Sequence, residues 1–161
     1  MSHLDDFLSL LCGRFDNARQ LEELKQTGGP ALPYAEHVNT ICNDKIEHLP
    51  ENFSGYFMVE ESYYTSNGNT HAAPHLCLFT EDNEDVLLTS YDLPDDFDKN
   101  TFTYDNLTTI DYNALKPSEK FTPARYVKKR RRLGRRQCQH VLSCSQIHFI
   151  RALLRGLPGS H

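Results

Sequence analysis

The sequence predicts an α+β domain that is mainly β, with two amphipathic helices leading into an antiparallel sheet or barrel. Apolar residues recur at helical spacing over the first 27 residues. From residue 34, short runs of Tyr, Val, Ile, Phe and Thr are separated by turn formers about eight to twelve residues apart, as is typical of antiparallel strands. A length of 161 residues fits one such domain.

The first helix is predicted over residues 3–13, where Ser2 and Asp5 resemble a capping pair. Its apolar face consists of Leu4, Phe7, Leu8 and Leu11. A second helix follows, capped by Asp16 or Asn17, and stops at a Gly-Gly-Pro sequence. We therefore expect an N-terminal helical hairpin.

The sheet is predicted to contain five strands, near residues 34–42, 54–64, 74–81, 85–91 and 102–112. Side chains alternate along a strand, so Phe57 and Glu61 share one face of the second strand. Tyr56 and Glu60 share the opposite face. Each face therefore carries aromatic side chains and one carboxylate.

The composition disfavours membrane and secreted proteins. Apolar residues make up only 39% of the chain, and no apolar run approaches the roughly 18–20 residues of a membrane span. The first ten residues carry Asp5 and Asp6 where a signal peptide carries basic residues. We expect a cytoplasmic protein with no membrane partner.

The charge is unevenly distributed. Residues 1–115 contain 21 Asp and Glu against 5 Lys and Arg, a net charge of −16, whereas residues 116–161 contain 1 against 12, a net charge of +11. Phosphate binding requires Lys and Arg, so we do not expect the acidic part to bind nucleic acid. We accordingly divide the chain into a domain at 1–121 and a basic, amphipathic tail at 122–161.

The tail contains basic runs at 128–132 and 135–136, followed by apolar residues at helical spacing from 147 to 157. Three interpretations remain open. The tail is a nucleic-acid or nuclear-import patch, a segment that folds against the acidic domain, or a stretch unrelated to the domain because the reading frame changes near residue 127.

Five cysteines without a CxxC pair indicate reduced thiols rather than a disulfide framework or a zinc ribbon. Cys12, Cys42 and Cys77 lie among apolar residues, which is typical of buried packing thiols. His71 and His75 have a metal-binding spacing, but Pro74 between them forbids a regular helix. A second group matches no zinc pattern: Cys138, His140, Cys144 and His148. We expect no metal site.

Three segments together resemble the T-type phycobiliprotein chromophore lyases, the CpcT/CpeT family, over about residues 4–115. The segment 13–21, GRFDNARQL, resembles the family's early G-x-F-x-N-x-x-Q signature. The segment 57–64, FMVEESYY, resembles its strand of the form (Y/F)-x-x-E-(Q/E)-(A/S)-Y. The third, HLCLF at 75–79, follows a proline as in the family. Residues 122–161 do not resemble the family's remaining strands.

The resemblance implies a lipocalin-like antiparallel β-barrel, incomplete here, that binds an open-chain tetrapyrrole (a bilin). The bilin, phycocyanobilin or phycoerythrobilin, would be the substrate rather than a cofactor. The protein would assist its attachment to a cysteine of a phycobiliprotein subunit, in the plastid stroma if the source is an alga. Because the missing strands leave a sheet edge unpaired, we also expect poor solubility or a homodimer.

Within this implied site, Glu60 or Glu61 would hydrogen-bond the protonated pyrrole nitrogens, and the sequence does not choose between them. The alternative is that both are solvated charges at a strand edge. Arg14 and Arg19 are candidates for the pigment's propionates because the domain has few cations. The further ligand-binding candidates are Asn17, Gln20, Tyr56, Tyr63, Tyr64 and His75. Asn17 has a simpler alternative role as a helix cap, and Arg19 as a solvated side chain.

Two functions other than a lyase also fit the sequence. The first is a non-catalytic barrel that binds a tetrapyrrole or another elongated apolar ligand. The second is an interaction protein that acts through its basic tail, whose binding would weaken steeply with salt.

Overall fold

The computed structural model describes residues 2–127. Within them lie two helices, α1 (His3–Leu11) and α2 (Ala18–Thr27), and two short 3-10 turns. The strands are β1 (Gly13–Asp16), β2 (Tyr34–Ile41), β3 (Ile46–Glu47), β4 (Tyr56–Ser66), β5 (Asn69–Ala72), β6 (His75–Asp82), β7 (Asp85–Tyr91), β8 (Ile110–Asp111) and β9 (Ala124–Tyr126). The mainly β prediction with two helices is confirmed.

Both predicted helices form. Helix α1 begins with a capping box, in which the Asp5 backbone N donates to Ser2 Oγ at 3.1 Å and the Ser2 backbone N donates to Asp5 Oδ2 at 2.9 Å. At the start of α2, Asp16 Oδ1 accepts from the Ala18 backbone N at 2.9 Å. The helix ends at Gly28, whose φ of 68° is the left-handed conformation that glycine adopts easily.

The helical hairpin was wrong in one respect, because strand β1 lies between the two helices. The four residues of β1 pair antiparallel with β2, with Arg14 opposite Val38. Their backbone groups find partners in the sheet edge, so the connection is extended rather than a turn. A four-residue strand shows too little alternation to be identified from sequence.

Seven strands form one antiparallel sheet in the order β1-β2-β4-β6-β7-β9, with β5 paired to β4. Strands β3 and β8 form a separate small parallel pair. Within residues 2–127, β1 and β9 are the two ends of this order and do not pair, so no closed barrel forms there. The sheet confirms the four predicted strands between 34 and 91.

The fifth predicted strand, near 102–112, was wrong except for Ile110 and Asp111, which form β8. The preceding residues form one turn and irregular loop, because Phe102 and Leu107 are buried against the sheet face instead of pairing along its edge. A strand not predicted, β9, pairs with β7 beyond the proposed boundary at residue 121. Arg125 on β9 contacts Asp82 at 2.5 Å and Asp85 at 3.1 Å, which ties this strand to the β6–β7 hairpin.

Both faces of the sheet are covered. On the α1 face, α1 contributes three leucines to a core with Met58, Cys77, Phe79, Val86, Leu88 and Ala124. On the opposite, loop face, Phe102, Leu107 and Ile110 pack against Phe57, Val59, Leu76 and Leu78. Strand β4 therefore alternates between two cores, with Met58 in the first and Phe57 and Val59 in the second.

No helix in the described part of the chain is long and apolar enough to cross a membrane. The basic runs at 128–132 and 135–136, the apolar pattern at 147–157 and the Cys138 group lie outside the described residues.

A matched pair of leucines in α1 tests whether this helix seals the α1 face. Leu8 is 3% exposed and Leu10 is 54% exposed. We expect Leu8→Ala to lower the free energy of unfolding by about 2–5 kcal/mol, because it leaves a cavity. Leu10→Ala should change it by less than about 0.5 kcal/mol. Urea denaturation followed by circular dichroism measures both, and equal losses would contradict this role for α1.

Candidate functional site

Three polar side chains form a row across neighbouring strands on the α1 face. Asn39 on β2 lies opposite Glu60 on β4, and Glu60 lies opposite His75 on β6. Side chains at paired positions point to the same side of a sheet, so an amide, a carboxylate and an imidazole stand in one line. We call Asn39, Glu60 and His75 the polar row.

The Glu60 carboxylate is held by two buried neighbours. Ser62 Oγ donates to Glu60 Oε1 at 3.3 Å, and His37 Nδ1 lies 3.7 Å from the same oxygen. His37 Nδ1 is also 2.8 Å from Ser62 Oγ. The Glu60 side chain is 14% exposed and so keeps some contact with solvent, whereas the His37 side chain is 6% exposed.

These three residues do not form a Ser-His-acid catalytic triad. In a triad the serine and the acid bind different nitrogens of the imidazole, but here both contact Nδ1 of His37. Ser62 is also only 2% exposed, so its hydroxyl cannot meet a substrate carbonyl. The arrangement fixes a carboxylate in place, as a binding site requires.

Asn39 adds an acceptor beside this carboxylate. Its Nδ2 donates to the Leu11 backbone O at 2.9 Å, which joins β2 to the end of α1. Its Oδ1 is buried and accepts no hydrogen bond within residues 2–127. Buried acceptors are normally paired, so a carboxylate and an unpaired amide oxygen at facing positions suit a ligand with N–H donors.

Aromatic side chains flank the row. The rings of His37 and Tyr64 meet edge to face with centroids 5.8 Å apart. Burial, followed by the charge of Glu60, raises the pKa of Tyr64. Burial likewise raises the pKa of Tyr126. Both phenols therefore remain neutral at ordinary pH.

Glu61 occupies the loop face and has a structural role. Its Oε1 accepts from the Tyr104 backbone N at 3.1 Å, and its Oε2 accepts from Tyr63 Oη at 2.7 Å. The carboxylate thereby anchors the segment before Leu107 to strand β4. The structure separates the two glutamates that the sequence left equivalent.

The other candidate residues occupy several places. Tyr64 and His75 lie on the α1 face with Glu60, whereas Tyr56 Oη donates to Asp5 Oδ1 at 2.9 Å, beside the start of α1. Tyr63 lies on the loop face with Glu61. Glu60, Tyr64 and His75 are therefore the predicted residues that the fold brings together.

The candidates in the helical region lie away from the polar row. Arg14 is on the loop side of β1 and pairs with Glu36 at 2.7 Å. Arg19 is 93% exposed and pairs with Glu23 along α2. Asn17 makes no capping bond with its side chain, which instead joins Pro33 and Ala35 of the β2 segment at 3.1 and 2.9 Å. Gln20 is exposed.

Sequence reasoning missed His37, Asn39 and Ser62. For the first two, the sequence signal lay in β2. His37 and Asn39 are two positions apart on this strand, so they share one of its faces. Only the pairing of β2 with β4 places both residues beside Glu60.

The described cysteines are packing thiols. Cys42 and Cys77 are buried, as predicted, and Cys12 is half-buried. Burial raises the pKa of Cys42 to about 12, and burial with the nearby Glu60 charge raises the pKa of Cys77. These thiols are therefore poor nucleophiles. Residues 2–127 contain no group of three or more His, Cys, Asp or Glu side chains placed to hold a metal ion.

Comparison with known proteins yields no relative: no family model matches the chain, and neither a curated protein nor a solved structure matches it.

The Tyr63–Glu61 contact produces a testable pH dependence. Burial and the hydrogen bond to Glu61 raise the pKa of Tyr63 to about 12. A phenol whose pKa is raised on folding stabilises the fold below its unfolded pKa of about 10, and loses that contribution as pH rises to its folded value. We expect the difference in unfolding free energy between wild type and Tyr63→Phe to fall between pH 10 and 12. Urea midpoints measured across this interval test it, and a constant difference would contradict the contact.

Proposed function

We propose that the chain binds an open-chain tetrapyrrole at the polar row and assists its covalent attachment to a cysteine of a phycobiliprotein subunit. The observation that carries this proposal is the fixed Glu60 carboxylate, which lies opposite the unpaired Oδ1 of Asn39 on one sheet face. The resemblance of segments 13–21 and 57–64 to the T-type chromophore lyases supports the same function.

The chemistry of a bilin suits these acceptors. Its pyrrole nitrogens carry N–H groups, and protonation adds a donor and a positive charge. A carboxylate that accepts charge-assisted hydrogen bonds favours the protonated pigment and holds it in one orientation. Tyr64 and the ring of His75 supply aromatic surface for the conjugated system.

Attachment requires little covalent chemistry from this chain. The acceptor cysteine adds across the ethylidene double bond of the pigment, so that its sulfur bonds to carbon and its proton ends on the pigment. A lyase accelerates this addition by orienting the pigment and stabilising its protonated form. The buried, high-pKa thiols of Cys42 and Cys77 are consistent with an attacking thiol that belongs to the partner.

We propose in addition that the sheet is an incomplete lipocalin-like barrel. An antiparallel sheet of seven strands with a helix packed against one face is compatible with an incomplete lipocalin-like barrel. In this interpretation the α1 face is the interior, α1 closes one end, and the polar row lies beyond the apolar core. The ligand then enters from the end opposite α1.

Titration with phycocyanobilin, followed through its visible absorption band, tests binding. Glu60→Gln should weaken binding about 10- to 100-fold, because a charged hydrogen bond contributes about 1.5–3 kcal/mol. Glu61→Gln is the matched control on the same strand, and it should bind within about twofold of wild type, since its carboxylate faces the other core.

The second stage of the experiment separates the lyase from a non-catalytic binder. An apo phycobiliprotein subunit is added, and pigment that survives denaturation is measured. Attachment above the spontaneous rate supports a lyase, whereas a shifted band without transfer identifies the alternative of a ligand-binding protein. Absence of any band shift, or equal losses in both variants, would contradict the site.

We also propose a homodimer. Strands β1 and β9 end the sheet order within residues 2–127, and unpaired strand edges favour pairing with a second chain. Light scattering across a range of protein concentrations should give twice the chain mass at the upper end. A monomer at every concentration would contradict this proposal.

A further inference from the structure

A loop leaves the edge of the sheet beside the polar row. Pro117 bridges Tyr91 of β7, and Ala124 pairs with Leu88 of the same strand. Two residues of β7 separate these contacts, whereas six residues, 118–123, separate them on the neighbouring segment. The four additional residues cannot lie along the edge, so the segment loops away from it.

This loop reaches the polar row through one side chain. The ring of Phe121 meets the ring of His75 edge to face, with centroids 5.8 Å apart and planes at 81°. Phe121 is half-buried, whereas four other loop residues are exposed: Glu119, Lys120, Thr122 and Pro123. The contact spans from the β7 edge to β6, so Phe121 covers the His75 end of the row.

The loop is attached in a way that permits movement. Ser118 is buried, and its backbone N donates to the Ser90 backbone O at 2.8 Å, which fixes one end. Strand β9 fixes the other end. Between these anchors, the ring contact of Phe121 with His75 holds the loop against the sheet. A single edge-to-face contact is weak.

We propose that residues 118–123 form a cover over the polar row and that Phe121 controls access of the ligand to His75 and Glu60. The identity of the ligand as a bilin rests on the proposed function, but the cover does not. A ligand that reaches His75 must displace the Phe121 ring, which then offers its face as an additional aromatic surface to the bound molecule.

The first test needs no ligand. Diethyl pyrocarbonate modifies accessible histidines, and mass spectrometry gives the rate at each site. Phe121→Ala should raise the modification rate of His75 about three- to tenfold, the factor that corresponds to losing one edge-to-face contact. The rate at His48, whose side chain is 65% exposed, serves as an internal reference and should not change.

Two further variants control this test. Lys120→Ala removes an exposed side chain from the same loop and should leave the His75 rate unchanged. Phe121→Leu keeps apolar bulk and should give an intermediate rate, and it stands in for Phe121→Ala if that variant loses its circular dichroism signal. A His75 rate unaffected by both Phe121 variants would overturn the cover.

The second test measures stopped-flow binding of phycocyanobilin. Phe121→Ala should raise the association and dissociation rates together by about three- to tenfold, because a cover is a barrier in both directions. Rates equal to those of Lys120→Ala would overturn control of access. Faster His75 modification in a protein that binds no bilin would support the cover and overturn the proposed function.

Discussion

Burial of both faces of strand β4 is the constraint on which the rest of the structure depends. Phe57, Met58 and Val59 are consecutive residues with almost no exposure, which is possible in a strand only if both sides of the sheet are covered. Helix α1 covers one side and the 92–116 segment covers the other. The short helix and the long irregular segment together bury both faces of strand β4.

The same constraint positions the polar row. Glu60 follows Val59 directly, at the point where the apolar run of β4 ends, so the carboxylate lies at the border of the α1 core. Its partners Ser62 and His37 lie one step further along the same face. An ionisable group at such a border keeps contact with solvent while buried hydrogen-bonding groups fix its position, which is the condition for binding a cation or an N–H donor.

The two glutamates illustrate how local neighbours assign different roles to identical side chains. Both carboxylate oxygens of Glu61 are occupied within the fold, because they accept hydrogen bonds from the Tyr104 backbone N and the Tyr63 hydroxyl. Glu60 accepts from Ser62 and stays partly exposed beside the unpaired Oδ1 of Asn39. Glu60 is therefore the carboxylate that keeps hydrogen-bond acceptor capacity beyond its contacts within the fold.

The sequence by itself determined the local elements: the capped helix with Leu4, Leu8 and Leu11, the four long strands β2, β4, β6 and β7, and the alternation that divides Glu60 from Glu61. These follow from periodicity and capping, which act over a few residues. Tertiary structure alone decided that Phe102 and Leu107 are buried against the sheet from an irregular segment, that Gly13–Asp16 pairs with β2, and that Arg14 faces away from Glu60. It also placed Asn39 opposite Glu60 and brought His37 and Phe121 beside the polar row. These outcomes depend on strand register and long-range pairing, and a one-residue difference in register would have exchanged every side chain between the two faces.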